Sequence, residues 1–178
     1  DVHKDNTPLV PVSGGLAVLG GVMAGLMWYI FVQTFYYESP DNLILLFSAI
    51  TTILLITFIG FFDDLVIEKK KDETSGLKQW QKPLLTLFAA VPLMVVKAGT
   101  SVMLIPFLGR IDIGLIYPLI FVPLGIVGAS NMVNMLAGFN GSETGMGIVY
   151  LGMLGLYAYT NERYSAAAIA GITVLALL

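Results

Sequence analysis

Two neighbouring aspartates, Asp63 and Asp64, stand where a long apolar run gives way to charge in FIGFFDDLVIEKKKDE. Carboxylates at a membrane boundary are costly unless they are hydrated, paired or bound to an ion, which makes them candidates for chemistry. The ordinary role of one such acid is to end a membrane helix in water. An adjacent pair asks for more, because mutual repulsion raises proton affinity unless a lysine or a divalent cation compensates. Successive helical residues diverge by about 100° around the axis, so one carboxylate can face a helix bundle while its neighbour faces a loop. Two sources of positive charge are at hand, the run Lys69 to Lys71 and the single Lys82. The run reads as ordinary contact with anionic lipid. Lys82 differs: beside Trp80 and immediately before Pro83, it is pinned near the headgroup plane, where a lipid phosphate would lie.

A second cluster lies in ASNMVNMLAGFNGSETG, residues 129–145. Asn131 and Asn134 are three residues apart and share one helix face. Helix capping or a bond to a neighbouring helix would account for the two asparagines alone. Gly138, Asn140 and Gly141 then make a tight turn whose backbone N–H groups can approach a polar ligand closely. A loop of this kind beside an acidic pair is what a nucleotide diphosphate would need. Cysteine is absent and His3 is the one histidine, so any metal here must be held by oxygen ligands.

The elements that position these residues are read from composition. Of 178 residues, 57% are hydrophobic and 12% charged, and mean hydropathy is +0.85, far outside the range of soluble domains. This describes an all-α polytopic membrane protein. The net charge of −3 is gathered in a few loops, and nucleic acid is excluded as a partner. A spanning helix needs about 20 apolar residues, and six candidates follow: 13–35, 43–62, 83–97, 115–136, 145–160 and 164–178. The first is rich in glycine at its start, which predicts close helix packing. The second ends at the acidic pair, and the third is short and interrupted by Pro92. Between the third and fourth, TSVMLIPFLGRIDIG predicts a short β-hairpin near residues 100–113 around a Gly109–Arg110 turn. There is no soluble domain and no internal repeat. The chain lacks an initiator Met and stops within an apolar run, so residues 1–178 are expected to form one transmembrane domain truncated at both ends.

Lysine and arginine set the orientation, since short cytoplasmic loops carry the excess of both. Placing the Asp63 loop inside puts Lys4, Lys69, Lys70, Lys71, Lys78 and Lys82 inside and Lys97, Arg110 and Arg163 outside. With alternating spans, the N-terminal DVHKDNTPLVPVSGG and the asparagine loop fall on the same cytoplasmic face.

The strings GFFDDL, QKPLL and NMVNMLAGFNG together resemble the polyprenyl-phosphate N-acetylhexosamine-1-phosphate transferases, glycosyltransferase family 4. They are most similar to the eukaryotic and archaeal branch that uses UDP-N-acetylglucosamine and dolichyl phosphate. The segment DVHKDNTPLVPVSGG fits that family's entry to its second helix. The bacterial branches carry an aspartate-bearing DGxDG pattern where this chain reads Ala137-Gly138-Phe139-Asn140-Gly141. The resemblance implies a fold of ten membrane helices, of which this chain would hold about the second through the start of the seventh. It implies transfer of N-acetylglucosamine 1-phosphate from UDP-N-acetylglucosamine to a polyprenyl phosphate on the cytoplasmic face, in an archaeal plasma membrane or an endoplasmic reticulum, as the first lipid-linked step of glycan assembly.

Residue by residue, Asp63 and Asp64 match the acidic pair near the phosphate acceptor and Lys82 the lysine that contacts phosphate. Asn134 matches an asparagine that helps hold Mg2+, with Asn131 its structural or phosphate-side companion. Gly138 and Asn140 match positions lining the uridine pocket, and Glu143 matches a loop acid. The loop after Asp64 is longer than in the eukaryotic pattern, and Ile67 stands where that pattern has asparagine. The family's second magnesium ligand, in a Gly-Asp motif, and its sugar-recognition loop lie further on, so these residues alone are expected to hold magnesium poorly and not to turn over. Covalent and direct mechanisms stay open, and a homodimer is compatible with the reading. The rival functions are a bacterial-type UDP-sugar transferase of cell-wall synthesis, a secondary transporter and a non-enzymatic membrane subunit. A transporter would place its charges near mid-span within an inverted repeat; here they sit at span ends.

Overall fold

Long apolar runs without proline give the chain its two longest helices in the computed structural model, α1 at Gly14–Phe35 and α2 at Leu43–Lys69. The structure describes residues 14–38, 42–69, 77–78, 80–136 and 141–178, with the side chains of residues 64, 66–69 and 134–136 outside that description. The further elements are α3 at Gln81–Val95, a hairpin of β1 at Val102–Ile105 and β2 at Gly109–Asp112, α4 at Val122–Leu136, α5 at Ser142–Thr160 and α6 at Tyr164–Leu177. Among the described residues the protein is therefore mostly helical, with one small antiparallel sheet. Among the described residues, α1 and the Leu43–Asp63 part of α2 are long and apolar enough to cross a membrane. Gln81–Val95, Tyr117–Val133 and Tyr164–Leu177 are apolar but shorter.

The second span ends at the acidic pair as expected, its apolar stretch running Leu43–Asp63; the helix itself continues through Leu65 to Lys69, because Leu-Val-Ile-Glu-Lys contains no glycine or proline to end it. Two expectations are corrected. Pro92 does not interrupt α3. It lies in the last turn; having no N–H it cannot donate to Phe88 O, and the helix runs on to Val95 all the same. The hairpin turn is Pro106-Phe107-Leu108 rather than Gly109–Arg110: Leu108 N–H donates to Ile105 O (3.1 Å), and Gly109 and Arg110 pair with Ile105 and Leu104 inside the sheet.

Proline also shapes the entry to α4. Pro123 has no N–H, and a π-helical turn at Tyr117–Phe121 precedes it, closed by the Val122 N–H reaching back to Tyr117 O. Tyr117 in turn lies over Gly99 (φ 98°), where any added Cβ would come within 2.6 Å of the tyrosine ring. The hairpin and α4 are locked together at that point.

The helices pack in the order α5, α6, α1, α2, α3, α4. Small residues allow the closest approaches. A Cβ on Gly21 would lie 3.2 Å from Ala176 Cβ, and one on Gly25 would lie 2.5 Å from Ile172 Cγ2, so α1 and α6 are antiparallel neighbours in tight contact. Gly14, Gly15 and Gly20 have no such neighbour, so the predicted glycine packing falls on two of the five positions. Gly155 against Ala170 sets α5 on α6 in the same way. Val22 and Leu26 of α1 meet Ile50 of α2 in the buried core. On α3, Ala89 and Ala90 are buried, and their small side chains let α3 lie close between α2 and α4.

Candidate functional site

The site is built from the C-terminal part of α2, the first two turns of α3 and the later turns of α4. The start of α3 is fixed locally. Gln81 N–H donates to Lys78 O (2.8 Å) while Lys78 N–H donates to Gln81 Oε1 (2.8 Å), a reciprocal closure like that of a capping box. Pro83, the third helical residue, needs no donor there because the first N–H groups of a helix have no intrahelical acceptor. Lys82 is thereby held in the first turn of α3.

From that position its ammonium reaches α2. Lys82 Nζ lies 2.6 Å from Asp63 Oδ2, and the second carboxylate oxygen, Oδ1, accepts the backbone N–H of Leu77 at 2.6 Å. The two side chains are 27% and 14% exposed respectively, which puts the pair between a solvated surface contact and a buried one. Asp63 thus ties the α2–α3 connection and the lysine together with both of its oxygens.

One turn along α3, Thr86 is 5% exposed and its hydroxyl is shared between two helices. Thr86 Oγ1 donates toward Lys82 O (3.0 Å) and Pro83 O (3.1 Å) and accepts from Asn131 Nδ2 of α4 (3.1 Å). The same Asn131 nitrogen donates to Val127 O at 2.8 Å. Polar contacts therefore run from Leu77 through Asp63, Lys82 and Thr86 to Asn131, across three helices. An apolar cleft of about 540 Å³ opens between α3 and α4, lined by Trp80, Pro83, Leu84, Leu87, Leu119 and Val127 among others.

Of the residues singled out from the sequence, the structure brings Asp63 and Lys82 into direct contact and places Asn131 at one remove, on Thr86. Thr86, which no sequence motif singles out, stands between Lys82 and Asn131. Asp64 follows Asp63 on α2 and Asn134 follows Asn131 by one turn on α4, but their side chains lie outside the described residues, as do Gly138 and Asn140 altogether. Glu143 is not in a loop: it is an exposed residue in the first turn of α5, where a carboxylate favours the helix dipole. Gly141 precedes it in the left-handed region (φ 79°), the tight turn that the glycine was expected to supply.

Magnesium is the group implied here. Among the described residues no three His, Cys, Asp or Glu side chains come together as a metal site. Both oxygens of Asp63 are engaged by an ammonium and an amide. The described donors do not make a magnesium site.

Away from this face, Asp112 closes the base of the hairpin. The Ser101 hydroxyl and then the Gly114 N–H (2.9 Å to Oδ1) hold its carboxyl below the usual carboxylate range.

A family model described as glycosyl transferase family 4 matches residues 46–178. A protein of Saccharolobus solfataricus, provisionally named UDP-N-acetylglucosamine–dolichyl-phosphate N-acetylglucosaminephosphotransferase, is 32% identical over 99% of this chain and 51% of its own length. A Dictyostelium discoideum protein of the same name, without that qualification, is 30% identical over 84% of this chain and 38% of its own. A Thermotoga maritima phospho-N-acetylmuramoyl-pentapeptide-transferase is 32% identical over 99% of this chain and 55% of its own. The chain spans about half the length of the curated relatives it matches. No solved structure matches it.

Proposed function

This chain belongs to glycosyl transferase family 4, and from that premise we propose that it carries the acceptor-facing part of a membrane phosphoglycosyltransferase. The donor is UDP-N-acetylglucosamine, the acceptor a polyprenyl phosphate of dolichyl type, and the products polyprenyl-diphosphate-N-acetylglucosamine and UMP. The reading takes all six helices as membrane segments of one transferase domain, with the Asp63–Lys82 end on the cytoplasmic face.

The observation that carries the reading is the Asp63–Lys82 pair, a partly exposed cation held in the first turn of α3. A lipid phosphate needs a cation for its headgroup and an apolar surface for its chain, and Pro83, the next residue along from Lys82, already belongs to the lining of the apolar cleft between α3 and α4. In the reaction, an oxygen of the acceptor phosphate attacks the phosphorus that bears the sugar. The bond from that phosphorus to the bridging oxygen breaks, and UMP leaves with the bridging oxygen. In phosphoryl transfer the protein mainly positions groups and offsets charge. Lys82 steadies the acceptor phosphate. Asp63, with both oxygens engaged, orients Lys82 and the α2–α3 connection, which assigns any proton removal from the acceptor to Asp64. Gly138, Asn140 and Glu143 belong to the nucleotide side, with Asn131 as the companion of Asn134. Family members of this type are generally metal-dependent; we assign Asn134 as this chain's ligand to magnesium, which would offset the charge of the diphosphate and requires further oxygen ligands beyond the described residues.

The bacterial relative named for transfer of phospho-N-acetylmuramoyl-pentapeptide supports a second reading with a different sugar. Incubating the full-length protein with a polyprenyl phosphate and magnesium, and extracting the lipid product, separates the two. Product from UDP-N-acetylglucosamine and none from UDP-N-acetylmuramoyl-pentapeptide is expected. The reverse pattern selects the second reading, and product from neither removes both.

A further inference from the structure

The Thr86 hydroxyl has no place in the chemistry described so far, yet it is the group through which α3 and α4 meet at the site. It is buried, in a turn otherwise made of Leu84, Leu85 and Leu87, where a polar atom is retained only when it is hydrogen-bonded. Its partners lie on both sides: the carbonyls of Lys82 and Pro83 receive its proton, and its lone pair receives Asn131 Nδ2. Resting on the proposed transferase activity, we propose that Thr86 is a positioning residue that fixes the register of α4 against α3. In that role it sets the asparagine face of α4 at a constant distance from the ammonium of Lys82.

The geometry supports this in two ways. The backbone carbonyl that Thr86 engages belongs to Lys82 itself, so the residue carrying the cation and the residue receiving Asn131 are bonded one turn apart on the same helix. Asn131 spends its nitrogen on Thr86 and on Val127 O of its own helix, which holds the side chain against α3. Apolar contacts along the α3–α4 cleft are non-directional and leave sliding along the helix axes cheap. The Thr86–Asn131 bond is directional, and it stops that sliding. A misplacement of about 1 Å between groups that must meet one diphosphate lowers turnover on the order of 10²-fold.

The test uses the full-length protein in detergent or nanodiscs and compares Thr86→Val, which keeps the shape and removes the hydroxyl, with Thr86→Ser, which keeps the hydroxyl. Thr86→Val is expected to lower kcat for UMP release about 10- to 100-fold, while KM for UDP-N-acetylglucosamine changes by less than about threefold. Thr86→Ser is expected to restore turnover to within about threefold of native. In an Asn131→Ala background, Thr86→Val is expected to add less than about a twofold further loss, because the interaction has already gone. Amide hydrogen exchange over residues 127–136, which needs no activity, should speed up about tenfold in Thr86→Val and stay native in Thr86→Ser. Equal losses in Val and Ser, multiplicative losses with Asn131→Ala, or unchanged exchange in Thr86→Val would each overturn the assignment. Should the native protein release no UMP from any UDP-sugar, the transferase reading fails, and the exchange measurement alone then decides whether Thr86 fixes α4.

Discussion

Replacing Asp63 by asparagine isolates the charge in the contact that anchors the site. The substituted amide keeps an oxygen for the Leu77 N–H, so the α2–α3 tether survives while Lys82 loses its counter-charge. Two limits bracket the cost. Exposed ion pairs contribute about 0.2–1 kcal/mol, and removing one partner of a buried pair costs about 3–5 kcal/mol. With 14% of the aspartate and 27% of the lysine exposed, the expected cost lies between them, about 2 kcal/mol, or roughly a 30-fold shift in the folding equilibrium. Denaturant titration of the full-length protein in mixed micelles measures this. Exchanging the two residues, Asp63→Lys with Lys82→Asp, should recover at least half of the loss, because the attraction is restored with its direction reversed. Raising ionic strength should reduce the Asp63→Asn effect only modestly, since a partly buried pair is weakly screened. The reasoning is refuted if Asp63→Asn changes stability by less than about 0.5 kcal/mol, or if the exchanged pair is no better than either single variant.

Other expectations follow from single contacts. Gly25→Ala places a Cβ 2.5 Å from Ile172 Cγ2, a branch methyl that cannot swing away without changing χ1; a loss of about 1–3 kcal/mol is expected by thermal unfolding. Gly20→Ala, with nothing within 4 Å, should be neutral or stabilising by a few tenths of a kcal/mol. The hairpin should depend on pH through Asp112. Its carboxyl is held below the unfolded value by Ser101 and Gly114, so its contribution is full above the ordinary carboxylate range and is lost as pH falls through the lowered folded value. Amide exchange at Gly114, corrected for intrinsic rates, should quicken on acidification, and Asp112→Asn should abolish that dependence.

The helical plan was legible because it rests on apolar content, which dominates this chain. Five of the six helix starts lie within three residues of where apolar runs place them, and the hairpin falls inside residues 100–113. Charge at Asp63–Asp64 marks the end of apolar content but not of the helix, and Pro92 removes one backbone bond without ending α3. In the hairpin, Gly109 drew the turn to itself, while the left-handed conformation is also met at Phe107 (φ 70°) and the turn precedes the glycine. At the site, Asp63 and Lys82 could be paired from the sequence because opposite charges flanking one short connection have few other partners. Thr86 could not be singled out by composition, since a lone threonine in an apolar helix usually bonds its own backbone. Its spacing of four from Lys82 was the available signal, and only the packing of α4 onto α3 gives it a partner.

Whether the Asp63–Lys82 end of α2 and α3 receives the phosphate acceptor is decided by acceptor-dependent UMP release from UDP-N-acetylglucosamine by the full-length protein, native against Lys82→Met, with polyprenyl phosphate varied. Native protein is expected to release UMP only when the lipid phosphate is present, and Lys82→Met to lower kcat/KM for the lipid by at least about 10²-fold. Native-level kcat/KM in Lys82→Met, or UMP release that ignores the lipid phosphate, would contradict that assignment.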